Sequence, residues 1–290
     1  MGTQALLLLN RKARGGRGDL APTLNRLREA GFGLVEESAG AEAFSAAIRA
    51  HRERVQLVIV GGGDGALNAA AAGLVETQLP LGILPLGTAN DLARTLNIPT
   101  DLGAAAAVIA AGRQRRIDLG WVNGRHFFNA MSIGLGVRVT QRLSRQTKGR
   151  WGVLAYALAA GRALVSSRPF RAEICSGGEC WRVKTIQIAV GNGRHYGGGL
   201  RIAAQKDIAD GRLDLCSLEV RHWWHVLLLL PKLRAGRLKD TAHVRTLQAR
   251  DFQIRTLHRP RHITTDGEIT CRTPAVVRVM PRAVSVFVPE

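Results

Sequence analysis

Short apolar runs alternate with longer helical patterns through the first 120 residues of the chain. The apolar runs have the length of buried strands, and they are Ala5–Leu9, Gly33–Val35, Leu57–Val60, Leu81–Leu84 and Arg116–Leu119. The stretches between them have helical spacing, and they are Leu20–Ala30, Ala41–Ala50, Ala66–Val75, Asn90–Leu96 and Leu102–Ala111. Strands and helices that alternate at this spacing form an open, largely parallel sheet. The sequence therefore predicts a Rossmann-like α/β domain over residues 1–122.

The pattern changes beyond about Trp121, where many apolar positions alternate with polar or charged ones. This alternation is typical of strands with one buried face, and the predicted strands are Phe170–Ile174, Val183–Val190, Leu213–Val220, Val244–Leu247, Phe252–Arg255, Ala275–Val279 and Val284–Val288. Helical spacing stands out only near Gly152–Val165 and Trp223–Leu233. We therefore predict a mostly-β sandwich domain over residues 123–290, with a boundary near Trp121–Arg125.

A glycine-rich loop directly follows the third predicted strand. Residues 61–65 read Gly-Gly-Gly-Asp-Gly and lead into a helix. Glycines allow a sharp turn and a close approach to phosphate, while the amides of the following helix point at the anion. Asp64 would need a cation between itself and the phosphates, most simply Mg²⁺. The alternative is an ordinary strand–helix turn in which Asp64 caps the helix, and a glycine loop alone does not decide between them.

A second polar loop follows the next predicted strand. Residues 86–91 read Leu-Gly-Thr-Ala-Asn-Asp and also open a helix. Thr88 can donate its hydroxyl to a phosphate, and Asn90 and Asp91 place polar oxygens beside it. Thr88 or Asp91 alone could be a plain helix cap. Two such loops at the ends of adjacent strands, however, predict one nucleotide-binding crevice.

The two loops together resemble the catalytic domain of diacylglycerol kinases, and more narrowly the bacterial soluble lipid kinases of that superfamily. Further segments occur in the family's order, and they are Ile117–Gly120, Ala189–Gly193, Asp210–Gly211 and Asp266–Glu268. The resemblance implies an α/β nucleotide-binding domain, a β-sandwich domain and an active site in the cleft between them. It also implies ATP and Mg²⁺ as cofactors and a lipid hydroxyl as the phosphoryl acceptor.

The resemblance assigns nucleotide binding to residues in the loops of the first domain. The implied set is Asn10, Gly62, Gly63, Asp64, Gly65, Ala66, Leu67, Asn68, Thr88 and Asp91. Within this set, Asp64 and Asp91 would bind and orient Mg-ATP. Asp118, at the end of the last strand of this domain, would support the cleft through hydrogen bonds, and a simple strand-end cap explains it equally well.

Asp266, Gly267 and Glu268 form the predicted catalytic element. A kinase of this type must take a proton from an alcohol while it holds Mg-ATP, and a carboxylate can serve as the base. The resemblance implies that Glu268 is the proton acceptor and that Asp266 supports it. Without the resemblance, the alternative is a β-turn, because Asp-Gly is a common hairpin signal. The turn would join Ile263–Thr265 to Glu268–Cys271.

Residues 207–212 resemble the family's second, structural magnesium site. The carboxylate of Asp210 would bind the ion together with main-chain oxygens of Asp207 and Arg212. An isolated Asp-Gly turn is the alternative, because one carboxylate is little for a hard divalent cation.

Three positions depart from the family pattern. Ala66 stands where the family usually has Thr, and Ala69 stands where it often has Glu. The family's first loop usually reads Asn-Pro-x-Ser-Gly, whereas residues 10–16 read Asn-Arg-Lys-Ala-Arg-Gly-Gly, which retains Asn10 and adds cations suited to a triphosphate. A degenerate kinase that only binds lipid or nucleotide is therefore a further alternative.

The net charge is the unusual feature of the composition. The 290 residues include 41 Lys and Arg against 22 Asp and Glu, which gives a formal net charge of +19. Such a surplus favours anionic partners such as phosphates, nucleic acids or acidic lipid surfaces, but it does not choose among them. A solvated basic surface without any such partner is the simplest alternative.

The cysteines and the apolar runs indicate the cellular compartment in which the protein is expected. Four cysteines in a chain of this length do not suggest a disulfide scaffold, so reduced thiols in the cytosol are expected. The apolar runs fall far short of the ~18 residues that a spanning helix needs, and no targeting signal is evident. We therefore expect a soluble cytoplasmic protein, or one bound peripherally to the inner face of the membrane.

Two basic segments are candidates for a membrane-facing surface. The first contains Arg138, Arg142, Arg145, Lys148 and Arg150 before Trp151. The second, residues 221–239, mixes paired indoles, a leucine run and cations. Indoles prefer the membrane interface and cations favour anionic head groups. The alternative is a helix whose leucine side packs on the β domain and whose basic side faces water.

Two alternatives to a lipid kinase are an NAD kinase, which has a different phosphoryl acceptor, and a nucleic-acid-binding protein. An NAD kinase shares the Gly-Gly-Asp-Gly loop, but the loop at residues 86–91 argues against it. A nucleic-acid-binding protein would fit the charge, yet the chain has only 2 Tyr and 7 Phe and lacks a stacking motif, so no nucleic acid is expected.

The identity of the lipid stays open among diacylglycerol, phosphatidylglycerol, ceramide-like and sphingoid alcohols. The oligomeric state is also open, and a homodimer is allowed.

Overall fold

The computed structural model describes residues 2–10, 19–37, 40–139, 161, 164–193, 195–196, 200–201, 207–220, 225 and 243–290. The predicted helix at Trp223–Leu233, most of the one near Gly152–Val165 and most of both basic segments lie outside the described residues. The chain divides into two compact units. The first comprises Met1–Leu119, Ile208–Asp210 and Met280–Glu290, and the second comprises Gly120–Asp207 and Gly211–Val279.

The first unit is built from alternating strands and helices. Its elements are β1 (Thr3–Leu9), α1 (Ala21–Glu29), β2 (Phe32–Glu37), α2 (Phe44–His51), β3 (Leu57–Gly62), α3 (Asp64–Thr77), β4 (Leu81–Pro85), α4 (Asp91–Thr95) and α5 (Leu102–Ala110). The four strands pair in parallel in the order β2–β1–β3–β4. Helix α1 packs against α5, and α2 packs against α3. Strands β3 and β4 are buried along their whole length, as expected for a parallel sheet covered by helices. The predicted α/β fold is confirmed.

The second unit is mostly antiparallel β structure. The strands that follow in the chain are β5 (Gln114–Val122), β6 (Arg125–Phe127), β7 (Ala130–Gly134), β8 (Phe170–Ser176), β9 (Glu179–Thr185), β10 (Gln187–Gly191), β11 (His195–Tyr196), β12 (Leu200–Arg201), β13 (Leu213–Leu218), β14 (Val244–Ala249), β15 (Asp251–Thr256), β16 (His262–Thr265), β17 (Glu268–Arg272) and β18 (Ala275–Phe287). Of these strands, β5 begins in the first unit and β18 ends in it. One sheet has the order β14–β13–β10–β7–β16–β17, and β18, β15, β8 and β9 follow one another in the other.

An apolar core fills the space between these two sheets. Met131, Ile133 and Ile188 line it from the first sheet, and Ile174 and Phe252 line it from the second. Their positions follow the alternation of inward and outward side chains along each strand. The predicted mostly-β sandwich is confirmed.

Three of the predicted strands are divided differently in the structure. The run Val183–Val190 was predicted as one strand, but the chain leaves β9 and enters β10 of the other sheet at Ile186. The hydroxyl of Thr185 donates to the carbonyls of Gln187 and Leu218, which stabilises this crossing. The runs Ala275–Val279 and Val284–Val288 were predicted as two strands, and they form the single strand β18.

The expectation of reduced thiols is wrong for two of the four cysteines. Cys175 and Cys180 form a disulfide. They face each other in the β8–β9 hairpin, one pair beyond its Gly177–Gly178 turn. Cys216 is a free, buried thiol, and burial raises its pKa to about 12, so it stays protonated at neutral pH. The disulfide therefore joins the two strands of one short hairpin and is not part of a larger disulfide scaffold.

Helix lengths bear on membrane insertion. Within the part of the chain that the structure describes, every helix is too short or too polar to span a bilayer.

Candidate functional site

The two loops predicted to bind a nucleotide touch each other in the first unit. Gly63 and Gly87 approach so closely that a Cβ atom on Gly63 would lie 3.0 Å from the Gly87 Cα. A Cβ on Gly87 would lie 2.5 Å from the Gly63 Cα. The amide of Leu86 also donates to the Gly62 carbonyl at 2.9 Å. Only glycine permits this contact between backbones, so the loops after β3 and β4 form one surface.

The carboxylate of Asp64 connects the first loop to the second. One of its oxygens accepts the Asp91 amide at 3.1 Å, and the other accepts the Leu92 amide at 3.1 Å. These amides open helix α4, so Asp64 caps a helix that belongs to the other loop. The sequence had suggested a cap on the helix directly after Asp64, and that alternative is wrong because α3 has Gly63 at its N-cap without a side-chain bond.

Asn90 holds the second loop in shape, a role that the sequence did not reveal. Its side-chain oxygen accepts the Gly87 amide at 3.0 Å, and its amide group donates to the Gly87 carbonyl at 2.9 Å. The residue is buried and has a φ of 49°, a left-handed conformation that Asn tolerates better than most residues. The sequence signal was its position just before α4, which favours Asn as a helix cap.

The other predicted nucleotide-binding residues differ in exposure. Thr88 is exposed, and Asn10, Gly65 and Asn68 are partly buried. The amide of Asn10 donates to the Gly61 carbonyl at 2.8 Å, which brings the loop after β1 to the same edge of the sheet. The side chains of Ala66, Leu67 and Asp91 are buried. Ala66 and Leu67 could therefore contribute to ligand binding only through their backbone.

Asp118 is almost completely buried, with 1% of its surface exposed. Its carboxylate accepts the Arg282 amide at 2.7 Å. Its own amide donates to the Ile208 carbonyl at 2.9 Å. Arg282 has a φ of 49°, so the buried carboxylate stabilises an unusual backbone conformation within β18. Asp118 therefore does more than cap its own strand.

In the second unit, Asp266 and Gly267 form a two-residue turn between β16 and β17. Thr265 pairs with Glu268 across this turn, and both turn residues have positive φ values, as in the tight hairpin turns that favour Asp-Gly. The Asp266 carboxylate accepts three backbone amides, from Phe128, Asn129 and Ala130, at 2.8, 2.9 and 3.1 Å. Asp266 is thus both a turn residue and a clamp on the segment before β7.

Asn192 binds the same segment from another side. Its amide group donates to the Phe128 carbonyl at 2.9 Å, and its backbone amide donates to the Asn129 carbonyl at 2.8 Å. Asn192 is fully buried. Together with Asp266 it fixes the position of the hairpin that carries Glu268.

Glu268 is the first residue of β17 and its side chain is exposed. Partial desolvation by the surrounding protein raises its carboxyl pKa above the ordinary value for glutamate. A raised pKa makes the carboxylate a stronger base. Its position at the start of a clamped hairpin keeps that base in a defined place.

The clamp at Asp266 leads to a stability prediction. We expect Asp266→Ala to lower the free energy of unfolding by about 3 kcal/mol, because it leaves three amides of buried residues without their acceptor and places Ala at positive φ. Asp266→Asn retains an oxygen acceptor and tolerates the left-handed conformation, so we expect a smaller loss. Urea unfolding of both variants measures the difference. Equal stability of Asp266→Ala and the wild type would contradict the clamp.

The three residues of the predicted second metal site lie at the surface of the protein. Asp207, Asp210 and Arg212 are exposed, and Gly211 has a φ of 68°, which fits the Asp-Gly turn that was the alternative. Among the described residues, no group of three or more His, Cys, Asp or Glu side chains lies close enough to hold a metal ion. A site with one carboxylate and main-chain oxygens stays a prediction.

Family comparisons match both halves of the chain. Residues 4–122 match the diacylglycerol kinase catalytic domain, and residues 129–288 match the YegS C-terminal NAD kinase beta sandwich-like domain. A Klebsiella pneumoniae (strain 342) protein named "Probable lipid kinase YegS-like" is 36% identical over 217 residues, which cover 73% of this chain and 72% of that protein. A Pectobacterium atrosepticum protein of the same name is 36% identical over 222 residues, or 73% of each chain.

Solved structures share the fold. A crystal structure from Bacillus anthracis str. Sterne matches with a TM-score of 0.83 at 24% identity, covering 100% of this chain and 98% of that one. A second crystal structure from the same strain, described as a diacylglycerol kinase, matches with a TM-score of 0.78 at 22% identity, over the same shares of the two chains. At these identities the structural match establishes the architecture of the two domains.

Proposed function

The chain belongs to the YegS-like lipid kinases, which combine a diacylglycerol kinase catalytic domain with a beta sandwich-like domain, and from this premise we propose that it phosphorylates the hydroxyl of diacylglycerol or a related membrane lipid with ATP. The observation that carries the proposal is the contact between Gly63 and Gly87. It joins two strand-end loops into one glycine-lined surface of the kind that approaches phosphates closely. Residues 1–122 form the nucleotide-binding domain in this proposal, and residues 123–290 carry the lipid site.

The first unit supplies the nucleotide-binding residues. Magnesium-bound ATP supplies the transferable γ-phosphoryl group, and its phosphates fit a surface where backbone amides and carboxylates converge. The amides at the start of α3 would bind the phosphates, and the exposed Thr88 hydroxyl would donate to a phosphate oxygen. Carboxylate oxygens are ligands that Mg²⁺ prefers, so Asp64 would bind the magnesium ion in addition to holding the first amides of α4. Asp91 joins Asp64 in this role.

The second unit supplies the base. Glu268 would accept the proton of the lipid hydroxyl, which raises the nucleophilicity of the oxygen as it attacks the γ-phosphorus of ATP. The bond between the γ-phosphorus and the β-phosphate oxygen breaks, and ADP is the leaving group. Asp266 does not touch the reacting atoms in this proposal. It positions Glu268 by fixing the turn that precedes it.

The acceptor determines where the enzyme acts. A lipid hydroxyl lies at a membrane surface, so the protein works there as a peripheral enzyme, and its positive net charge of +19 favours approach to anionic membranes. The inner face of the membrane, where ATP is available, is the proposed place of action.

A lipid-panel assay tests the proposed function. The purified protein is incubated with radioactive ATP and Mg²⁺ together with diacylglycerol, phosphatidylglycerol, a ceramide or a sphingoid alcohol in mixed micelles. NAD is offered in parallel as the acceptor of the rival kinase. We expect label in one or more of the lipids, and none when Mg²⁺ is omitted.

Two results would contradict the proposal. Label in NAD but in no lipid would identify a dinucleotide kinase. Tight binding of lipid or ATP without any turnover would identify a degenerate kinase, the alternative raised by Ala66 and Ala69.

A further inference from the structure

Two arginines of the second unit, Arg138 and Arg261, form what we call the arginine pair. The Arg261 guanidinium carbon lies 4.1 Å from the centroid of the Phe170 ring. Arg138 donates from Nη1 to the Ser166 carbonyl at 2.6 Å. Both side chains are partly buried. The antiparallel pairing of Ile263 with Ile133 places the residue before β16 and the residues after β7 at the same end of these strands. Burial, and secondly the positive charge of Arg138, lower the pKa of Arg261, in agreement with this placement.

Three arginines of this unit have carboxylate partners among the described residues. Arg182 and Arg255 both bind Glu173, at 3.3 and 2.9 Å. Arg245 binds Glu219 at 2.8 Å. Among the described residues, no carboxylate lies within ion-pair distance of either member of the arginine pair. Since no carboxylate of the described residues offsets these two cations, the pair is a concentration of positive charge.

The sequence around Arg138 offers no acid to neutralise this charge. Between Asp118 and Glu173 the chain contains no Asp or Glu, while it contains nine Lys and Arg residues. This stretch of sequence therefore supplies no carboxylate to offset the charge of Arg138. A concentrated positive potential attracts a mobile anion.

The arginine pair lies away from the proposed catalytic residues. Arg261 directly precedes β16, whereas Asp266 directly follows it. The strand is antiparallel to β7, and Arg138 follows the end of β7 that pairs with the start of β16. Five residues of extended chain span about 17 Å, so a ligand at the pair occupies a separate position from a substrate at Glu268.

We propose that Arg138 and Arg261 bind a phosphate group, as free phosphate or as part of a phospholipid head group. The non-bridging oxygens of a phosphate monoester can accept paired hydrogen bonds from both guanidinium forks at once. An anion between the two groups also removes their mutual repulsion. The Phe170 ring fixes the orientation of Arg261, which preorganises one fork.

Variants of the arginine pair test this site against a matched control. Arg138→Gln and Arg261→Gln each remove one fork, and Arg182→Gln removes one arginine whose charge Glu173 already offsets. Binding of inorganic phosphate is measured by calorimetry, and binding to phosphatidylcholine vesicles with and without phosphatidic acid by sedimentation. We expect roughly tenfold weaker binding for each member of the pair and little change for Arg182→Gln. Circular dichroism checks folding, and Arg138→Lys and Arg261→Lys keep the charge without the fork.

The two binding experiments separate the sources of phosphate. Weakened binding to phosphatidic acid vesicles identifies a lipid head group, and weakened binding of inorganic phosphate alone identifies a soluble ligand. Phosphate held by the loops of the first unit is unaffected by these substitutions, so any loss reports on the pair. Equal affinities for all variants and wild type, or losses as large for Arg182→Gln, overturn the proposal.

Discussion

Replacing Glu268 with glutamine is expected to lower kcat for lipid phosphorylation by about 10²–10⁴-fold, the usual contribution of a general base. Glutamine has nearly the same size and can remain at the exposed start of β17, but its amide cannot accept the hydroxyl proton. We expect KM for ATP to change little, because the proposed nucleotide-binding residues belong to the first unit. Steady-state kinetics with a lipid acceptor and varied ATP measures both constants.

Glu179→Gln is the matched control for this substitution. Glu179 is also an exposed glutamate at the start of a strand that follows a two-residue turn, and it has no proposed role. The same chemical change there should leave kcat within about twofold of the wild type, as expected for a surface site. Equal losses in the two variants would show that Glu268 is not the base.

The pH dependence of the wild type gives a second test of Glu268. A protonated carboxyl group cannot accept a proton, so the rate should fall as the pH drops through the pKa of Glu268. Because desolvation raises that pKa, the fall should begin at a higher pH than for an ordinary glutamate. Glu268→Gln should lose this acidic limb of the profile, and an unchanged profile would argue against general-base catalysis by this residue.

The α/β architecture could be predicted because buried parallel strands and alanine-rich helices have very different periods. Two glycine-bearing loops that follow adjacent strands must meet at one sheet edge, and the Gly63–Gly87 contact shows that they do. The sequence did not reveal which groups form hydrogen bonds with one another at that sheet edge. The sequence suggested that Asp64 could cap the helix that follows it, but Asp64 caps α4 across the loop contact, which only the folded chain reveals.

The β sandwich was predicted as a class, but its strand boundaries were not. The run Val183–Val190 is apolar enough to read as one strand, and the crossing at Ile186 depends on a hydrogen bond from Thr185 to Leu218, far away in sequence. Strand β7, Ala130–Gly134, escaped prediction because it is rich in small residues with weak strand preference. The start of this strand is held in place because the Asp266 carboxylate accepts hydrogen bonds from the amides of residues 128–130.

The disulfide had a sequence signal that length and composition obscured. Gly177–Gly178 is a two-residue turn of the kind that sets hairpin register. Counting outward from that turn places Cys175 opposite Cys180, as the structure shows. Local register therefore predicts this bond better than the number of cysteines in the chain does.

Removing the carboxylate of Asp64 is expected to affect both stability and catalysis. Asp64→Ala deletes the acceptor for the first amides of α4, which should cost about 1–2 kcal/mol of unfolding free energy. It also deletes a proposed magnesium ligand, so kcat/KM for ATP should fall by roughly 10²-fold or more. Urea unfolding and kinase assays across a range of Mg²⁺ concentrations measure the two effects separately.

Asp101→Ala controls for the loss of a helix cap. The Asp101 carboxylate accepts the Ala104 amide at 2.8 Å and caps α5 in the same unit, but Asp101 has no proposed role with ATP. A similar loss of stability is therefore expected, with kcat/KM for ATP unchanged. If Asp101→Ala reduced activity as much as Asp64→Ala, general destabilisation would explain both losses.

Asp64→Asn separates the cap from the metal. Asparagine caps helices about as well as aspartate, and its oxygen can still accept one of the two amides, so we expect most of the stability to remain. The neutral amide is a poor ligand for Mg²⁺ compared with a carboxylate, so the fall in kcat/KM for ATP should persist. Full activity in Asp64→Asn would mean that Asp64 acts only by holding the two loops together and that another group binds the magnesium ion.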